Sequence, residues 1–209
     1  MVATASEDSM DRYLASTEFI DWKNPMVKAT AAEITEGLSR MEDRAKACFE
    51  YVRDEIRHSL DYRLNPVTCR ASDVLEHATG YCYAKSHLLA ALLRANGIPA
   101  GMCYQRLTVE EGQPPFCLHG LNAVYLPATG WYRIDARGNK PGIEAEFTPP
   151  TERLAFSPLF EGEADLPGIW ADPLPLVIKV LTSSTSFEEV RDNLPDVEPP
   201  FEAPAHGAG

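Results

Sequence analysis

The chain has 209 residues, with 31 acidic against 19 basic side chains and a formal net charge of −12. Hydrophobic residues make up 44% and charged residues 24%, which is typical of a globular protein. This length predicts a single domain, over residues 1–195, followed by a Pro-, Ala- and Gly-rich disordered tail over 196–209. The acidic charge disfavours nucleic acid as a partner, because binding it requires Lys and Arg to neutralise phosphates.

No segment reaches the roughly 18–20 uninterrupted apolar residues that a membrane helix needs, so no membrane contact is expected. The start MVATASEDSMDRYL lacks the basic and apolar regions of a secretory signal, and we expect a cytoplasmic protein. An odd number of cysteines in such a chain predicts reduced thiols rather than a disulfide framework. The five thiols are Cys48, Cys69, Cys82, Cys103 and Cys117.

The hydrophobic pattern predicts an α+β order, with helices first and antiparallel strands after them. After an extended lead-in over 1–24, helices are expected over about 25–37, 42–56 and 81–96, with a loop over 59–72. Alternation predicts strands over 101–109, 117–126 and 131–136, joined by a loop at 110–115 and a turn at 127–130. An irregular stretch at 137–172 precedes an edge strand over 174–181 and a short helix that Ser186 caps.

Cys82 stands at the start of the most regular predicted helix. A thiol there meets unpaired backbone N–H groups and the positive end of the helix dipole, which favour the thiolate. Gly80 removes a side chain just before it, so a substrate could approach closely. These are the requirements of a nucleophile, although position alone favours a small packed residue of the first turn.

His119 and Asp135 lie on two consecutive predicted strands. A three-residue turn would put Asp135 opposite Leu121, which makes it the diagonal neighbour of His119 on the same face. Such neighbours lie about 7–8 Å apart, within reach of a hydrogen bond between imidazole and carboxylate, whereas a one-residue slip would separate them. Cys82, His119 and Asp135 could thus form a triad of nucleophile, base and orienting acid.

Three segments resemble the transglutaminase-like superfamily of papain-like cysteine enzymes. They are ATGYCYAKSHLLAALLRANGIPA (78–100), LHGLNAVYL (118–126) and GWYRIDARGN (130–139), in the order that the family has. The resemblance covers a core of about 45–140 and implies a transglutaminase-type fold in which the nucleophile helix packs on an antiparallel sheet. It also implies that Cys82 is the nucleophile, His119 the general base and Asp135 the orienting acid.

The same resemblance implies an oxyanion hole that includes the backbone N–H of Cys82. Related enzymes add a side-chain donor from upstream, for which this chain has no clear match. Tyr62, His58 and Asn65 are the candidates for that donor. Three further residues are expected to line the substrate site: Tyr81, Tyr83 and Cys117.

The remaining polar groups have simpler interpretations. We expect the side chains of Lys85, His87, His58 and His77 to be solvated, Cys48 and Cys103 to pack in the core, and Cys69 to lie in a loop. A metal site formed by Cys82, Cys103, Cys117 and His119 is conceivable. However, neither C-x-x-C nor H-E-x-x-H is present, and we therefore expect no metal and no cofactor.

The expected activity is acyl transfer through a thioester on Cys82, with amide hydrolysis by a peptidase, amidase or deamidase as the first candidate. Transamidation with an amine acceptor is the alternative within the same chemistry. A non-catalytic binding module that retains the fold is the alternative outside it. The expected partner is a peptide, a protein or a small amide or thioester, and the oligomeric state stays open.

Overall fold

The structure, a computed structural model, describes residues 10–201 and 203. Helices in this range are α1 (Pro25–Ile34), α2 (Met41–Glu55), α3 (Ser59–Tyr62), α4 (Ala71–His77), α5 (Cys82–Ala95), α6 (Pro175–Ser183) and α7 (Phe187–Asp192). Strands are β1 (Arg57–His58), β2 (Thr79–Gly80), β3 (Ala100–Glu110), β4 (Gln113–Leu126), β5 (Gly130–Ile134) and β6 (Ala164–Asp165). None of the helices described is long and apolar enough to cross a bilayer.

Helix α5 lies at the centre of the molecule, between the other helices and the sheet. Every residue of α5 from Cys82 to Arg94 is buried. The antiparallel sheet, in the order β5-β4-β3-β6, covers one side of it. Helices α1, α2 and α4 pack against its other sides. The predicted α+β class, with the helix that begins at Cys82 packed on an antiparallel sheet, is therefore confirmed.

The central position of α5 overturns the expectation that Lys85 and His87 are solvated. A helix covered on all sides buries its polar residues together with its leucines. The Nζ of Lys85 donates to the carbonyl of Ile56, just beyond α2, and His87 Nδ1 lies 2.7 Å from the carbonyl of Cys69. Burial lowers the pKa of Lys85 to about 7 and that of His87 to about 4.

Two predictions of local structure are wrong. The predicted loop at 59–72 contains α3 and the start of α4. The predicted edge strand at 174–181 is helix α6, which begins at Pro175 and buries Val177 and Leu181 four residues apart. Its β-branched residues suggest a strand, but proline suits the first helical turn and a one-sided apolar face stabilises the helix.

Both ends of the described chain pack against the domain. In the lead-in, Tyr13 and Ile20 are buried, and its first nine residues lie outside the described range. In the predicted tail, the Asp196 carboxylate accepts two hydrogen bonds of 2.7 Å from Arg106, whose guanidinium also donates to the carbonyl of Gly162. Residues 202 and 204–209 lie outside the described range, and a disordered tail there stays a prediction.

Arg94, near the end of α5, joins three segments of the chain. It is buried, and its guanidinium donates to the carbonyls of Ala100, Ala15 and Ala171. Burial lowers the pKa of Arg94 to about 10, so the side chain remains charged at neutral pH. One cation thus satisfies the carbonyls of the lead-in, the start of β3 and the segment before α6.

Replacing Arg94 by Met should destabilise the fold, because it leaves these buried carbonyls without donors. We expect the free energy of unfolding to fall by about 3 kcal/mol, measured by urea denaturation. Arg191→Met is the matched control, because Arg191 lies exposed on α7 and, among the described residues, forms an ion pair only with its neighbour Asp192. The control should change stability by less than about 0.5 kcal/mol. Equal losses in the two variants would contradict the role of Arg94.

Candidate active site

The pairing of β4 with β5 brings Asp135 to His119. Asn122 pairs with Ile134, and this register continues to place Asp135 opposite Leu121, the diagonal position predicted from the sequence. His119 Nε2 lies 2.8 Å from Asp135 Oδ2. The backbone N–H groups of Arg137 and Ala155 also donate to the buried carboxylate. Asp135 is thereby fixed in place and ionised, with its pKa lowered from the ordinary value despite burial.

Cys82 is the first residue of α5, and it meets β4 where that strand has a glycine. The N–H of Gly120, the residue after His119, lies 3.5 Å from Cys82 Sγ. A Cβ on Gly120 would lie 2.9 Å from the ring of Tyr83 and 3.1 Å from its Cα. Gly120 therefore permits the close approach of helix and strand that places the thiol beside the imidazole.

Gly80 has a packing role rather than the predicted one of admitting a substrate. It is buried in β2, and an added Cβ would lie 3.1 Å from both Ala84 Cβ and Thr68 Oγ1. The segment before Cys82 therefore packs closely against the first turn of α5, with no room for a side chain at Gly80. Gly80 thus helps to fix where the helix begins.

His119 is buried and yet cationic at neutral pH. Burial disfavours the charged form, but the negative charges of Asp135 and Cys82, with a side-chain hydrogen bond to each, outweigh it and raise the pKa of His119 to about 10. Since Asp135 occupies Nε2, Nδ1 is the ring nitrogen left for Cys82. An imidazolium in this position favours a thiolate.

The other four thiols lack such a partner. Burial raises the pKa to about 12 for each of them: Cys48, Cys69, Cys103 and Cys117. Cys69, expected to be a loop thiol, is buried, and all five cysteines are free. At neutral pH these four side chains are therefore protonated and poor nucleophiles.

Of the three upstream candidates, only His58 contacts Cys82. Its Nε2 lies 3.2 Å from the backbone nitrogen of Cys82. The Tyr62 side chain is 59% exposed and lies outside the cleft that holds Cys82, and Asn65 Oδ1 accepts the N–H of Phe187. The expectation that His58 is solvated is thus wrong, because the pairing of β1 with β2 carries its ring inward.

His58 is neutral, in contrast to His119. Burial, followed by the positive charge of Arg137, lowers the pKa of His58 well below its ordinary value. Nε2 therefore accepts the Cys82 N–H, and Nδ1 carries the proton. Among the described residues Nδ1 has no hydrogen-bond partner, and its nearest acid is Asp61, whose Oδ2 lies 3.9 Å away.

A cleft of about 610 Å³ opens onto Cys82 and His119. The predicted lining residues Tyr81, Tyr83 and Cys117 all border it. The two tyrosine hydroxyls point elsewhere, because they donate to the carbonyls of Phe187 and Leu118 respectively. These tyrosines therefore offer a substrate their rings rather than a hydrogen bond.

The geometry is that of a cysteine–histidine–acid site on a papain-like core, and comparisons with known proteins give the family. The model of the transglutaminase-like superfamily matches residues 28–136, more than half of the chain. The chain belongs to this superfamily, whose chemistry is cysteine-based. The match begins within α1, earlier than the core predicted from residue 45.

Two solved structures share the fold. One, a candidate cysteine protease from Cytophaga hutchinsonii, is 19% identical with a TM-score of 0.51, and the match covers 64% of this chain and 43% of that one. The other, the periplasmic domain of TgpA from Pseudomonas aeruginosa bound to ethylmercury, is 20% identical with a TM-score of 0.50, over 64% of this chain and 50% of that one. This chain thus matches half or less of their lengths. No curated protein sequence is significantly similar to it.

The raised pKa of His119 predicts a pH-dependent contribution to stability. A base whose pKa is higher in the folded state stabilises the fold fully below its ordinary value of 6.5, and the effect is lost as pH rises through about 10. The free energy of unfolding of wild type minus that of His119→Gln should therefore be largest below pH 6.5 and decline toward pH 10. Urea denaturation across this range measures it.

His77→Gln is the control for loss of a histidine, because His77 is exposed at the end of α4. Its difference from wild type should stay small throughout the pH range. A difference for His119→Gln that does not change between pH 6.5 and pH 10 would contradict the cationic state of His119.

Proposed function

We propose that the protein is a cysteine-dependent acyl-transfer enzyme that hydrolyses an amide bond. The single observation that supports it best is the arrangement of Cys82 against His119 with Asp135 behind. A nucleophile, a base and an orienting acid in hydrogen-bonded sequence are what thioester chemistry needs. The family's cysteine-based chemistry supports the same assignment.

In the proposed reaction the Cys82 thiolate attacks the substrate carbonyl carbon, and the carbonyl oxygen takes the negative charge. His119 then gives its Nδ1 proton to the leaving nitrogen as the carbon–nitrogen bond breaks, which leaves a thioester. Neutral His119 next removes a proton from water, and the resulting hydroxide attacks the thioester. The acid is released, and the thiolate and imidazolium are restored.

The backbone N–H of Cys82 and the ring of His58 are the proposed oxyanion donors. In the structure His58 Nε2 accepts a hydrogen bond from the Cys82 N–H, so the two groups lie side by side where an oxyanion would bind. To donate as well, the ring must carry its proton on Nε2. Nδ1 has no hydrogen bond to give up among the described residues, so the change of tautomer breaks only the one from the Cys82 N–H, which then turns to the oxyanion.

Transamidation is the second candidate, and Glu111 favours it. This carboxylate borders the cleft, where it would attract a cationic amine acceptor. Product analysis in the presence of excess amine separates the two reactions. Hydrolysis releases the free acid, whereas transamidation gives the substituted amide. Glutaminyl peptides, acyl thioesters and amines are the panel to screen, because the triad serves all of them.

A reducing compartment fits the proposed mechanism, because the nucleophile must stay a free thiol. A cytoplasmic location is therefore part of the proposal. A binding module without catalysis would give no turnover on any member of the panel, and its Cys82 would react no faster than the other thiols.

Cys82→Ala should lower turnover by roughly 10⁴-fold or more, since the thioester can no longer form. In wild type, mass spectrometry should find iodoacetamide on Cys82 before Cys48 or Cys69. Cys117→Ala is the matched control, because Cys117 borders the same cleft and should be dispensable. Labelling of Cys82 no faster than of Cys48 or Cys69, or a large loss of stability in Cys82→Ala, would contradict the assignment of Cys82 as the nucleophile.

His58→Ala should lower kcat by about 10²–10³-fold with little change in KM, which is the effect of removing one oxyanion donor. Alkylation by iodoacetamide forms no oxyanion, so labelling of Cys82 should continue. His58→Gln should recover part of the rate, because an amide N–H can donate. Tyr62→Phe is the control and should keep full activity. Parallel losses of kcat and of labelling in His58→Ala would instead indicate a structural role.

A further inference from the structure

Exposed apolar side chains gather at the mouth of the Cys82 cleft. The described residues include five large hydrophobic side chains with substantial exposure, and three of them border this cleft: Val109 at 49%, Leu159 at 79% and Phe160 at 39%. Val109 lies at the end of β3, and the other two lie on the loop 156–163. Scattered exposed hydrophobic residues are ordinary, but their concentration at one cleft is typical of a binding site.

The apolar surface continues from the mouth to the reacting groups. Leu107 on β3 lines the cleft from the same face of the sheet as Cys117 and His119. Phe156 also lines the cleft, and its ring meets that of His119 edge to face with centroids 4.9 Å apart. Apolar side chains thus line the cleft both at its mouth and beside the imidazole.

The charged groups that line this cleft leave no free cation for an anionic substrate. Both terminal nitrogens of Arg137 donate hydrogen bonds to the Asp61 carboxylate, at 2.6 and 3.1 Å. The imidazolium of His119 is likewise paired, with the carboxylate of Asp135. Glu111 and Glu163, which also line the cleft, are carboxylates. A carboxylate on the substrate would therefore lose its hydration beside apolar side chains and would be repelled by the two carboxylates. Both effects disfavour its binding.

Glu163 holds the apolar loop in place. Its carboxylate accepts the N–H groups of Leu159 and Phe160 at 2.9 and 3.2 Å, and both the N–H and the hydroxyl of Thr108 on β3. Its partial burial is outweighed by these hydrogen bonds, which lower the pKa of Glu163 to about 2. The loop that carries the two exposed side chains is thus fastened to the sheet, and the apolar mouth is a formed surface.

We propose that this cleft selects substrates that carry an apolar rather than an acidic group next to the reacting carbonyl, with Leu159 and Phe160 as specificity residues and Glu163 as the residue that positions them. The inference rests on the proposed function, since it concerns the substrate of the same thiol. Aliphatic and aromatic groups satisfy it, whereas acidic groups do not.

The test compares three chloroacetamides as alkylating probes of Cys82: the unsubstituted amide, the N-benzyl amide and the N-carboxymethyl amide. In wild type the benzyl probe should label at least tenfold faster than the carboxymethyl probe. Leu159→Ser should reduce that ratio about threefold or more, with both rates expressed relative to that of the unsubstituted probe in the same variant. Met26→Ser is the control, because Met26 is also an exposed large hydrophobic residue and lies on α1, outside the lining of the cleft.

Glu163→Gln should also reduce the ratio, since an amide cannot accept all four hydrogen bonds. Equal rates for the benzyl and carboxymethyl probes in wild type would overturn the inference and leave the nucleophile assignment standing. A ratio that survives in both Leu159→Ser and Glu163→Gln would overturn the role of the loop. Failure of all three probes to label Cys82 faster than Cys48 would instead overturn the proposed function, and the inference with it.

Discussion

The site depends on one close contact, that between the first turn of α5 and β4 at Gly120. No side chain separates the two backbones there, so Tyr83 lies directly against the strand. The contact sets the distance between a thiol carried by a helix and an imidazole carried by a sheet. Because α5 is buried along its whole length and β4 is a central strand, neither element can shift alone. Packing in the core therefore sets the geometry of Cys82 and His119.

Two buried histidines lie beside Cys82, and they differ in charge state because their neighbouring residues differ. His119 faces the ionised carboxylate of Asp135 and is cationic, whereas His58 has the cation Arg137 nearby and is neutral. Desolvation lowers the pKa of both rings. At His119 the charges of Asp135 and Cys82 outweigh it, whereas at His58 it is the largest effect and Arg137 adds to it. The result is a proton donor on one side of the sulfur and an uncharged ring on the other, which is the division of roles that the proposed mechanism requires.

Local signals predicted α5, the β4–β5 register and the fold class, because a helix start, a glycine stop and a short turn are encoded within a few residues. Predictions failed where burial depends on elements that are distant in the sequence. Lys85 and His87 look like solvated positions until α1, α2 and α4 enclose the helix, and α6 has strand-like residues but a helical packing face. His58 is brought to Cys82 by the two-residue pairing of β1 with β2, which is too short to leave a pattern. The roles of the triad remain predictions that the geometry supports.

Arg106 has a practical consequence for work on truncated forms of this chain. Its guanidinium holds Asp196 near the end of the described range and, with another nitrogen, the carbonyl of Gly162 next to Glu163. A deletion that removes Asp196 would therefore release one anchor of the loop at the cleft mouth while leaving the thiol untouched. Shortened versions that react normally with small reagents could then misrepresent which larger molecules the full chain accepts. Boundaries for such versions are best set beyond Asp196.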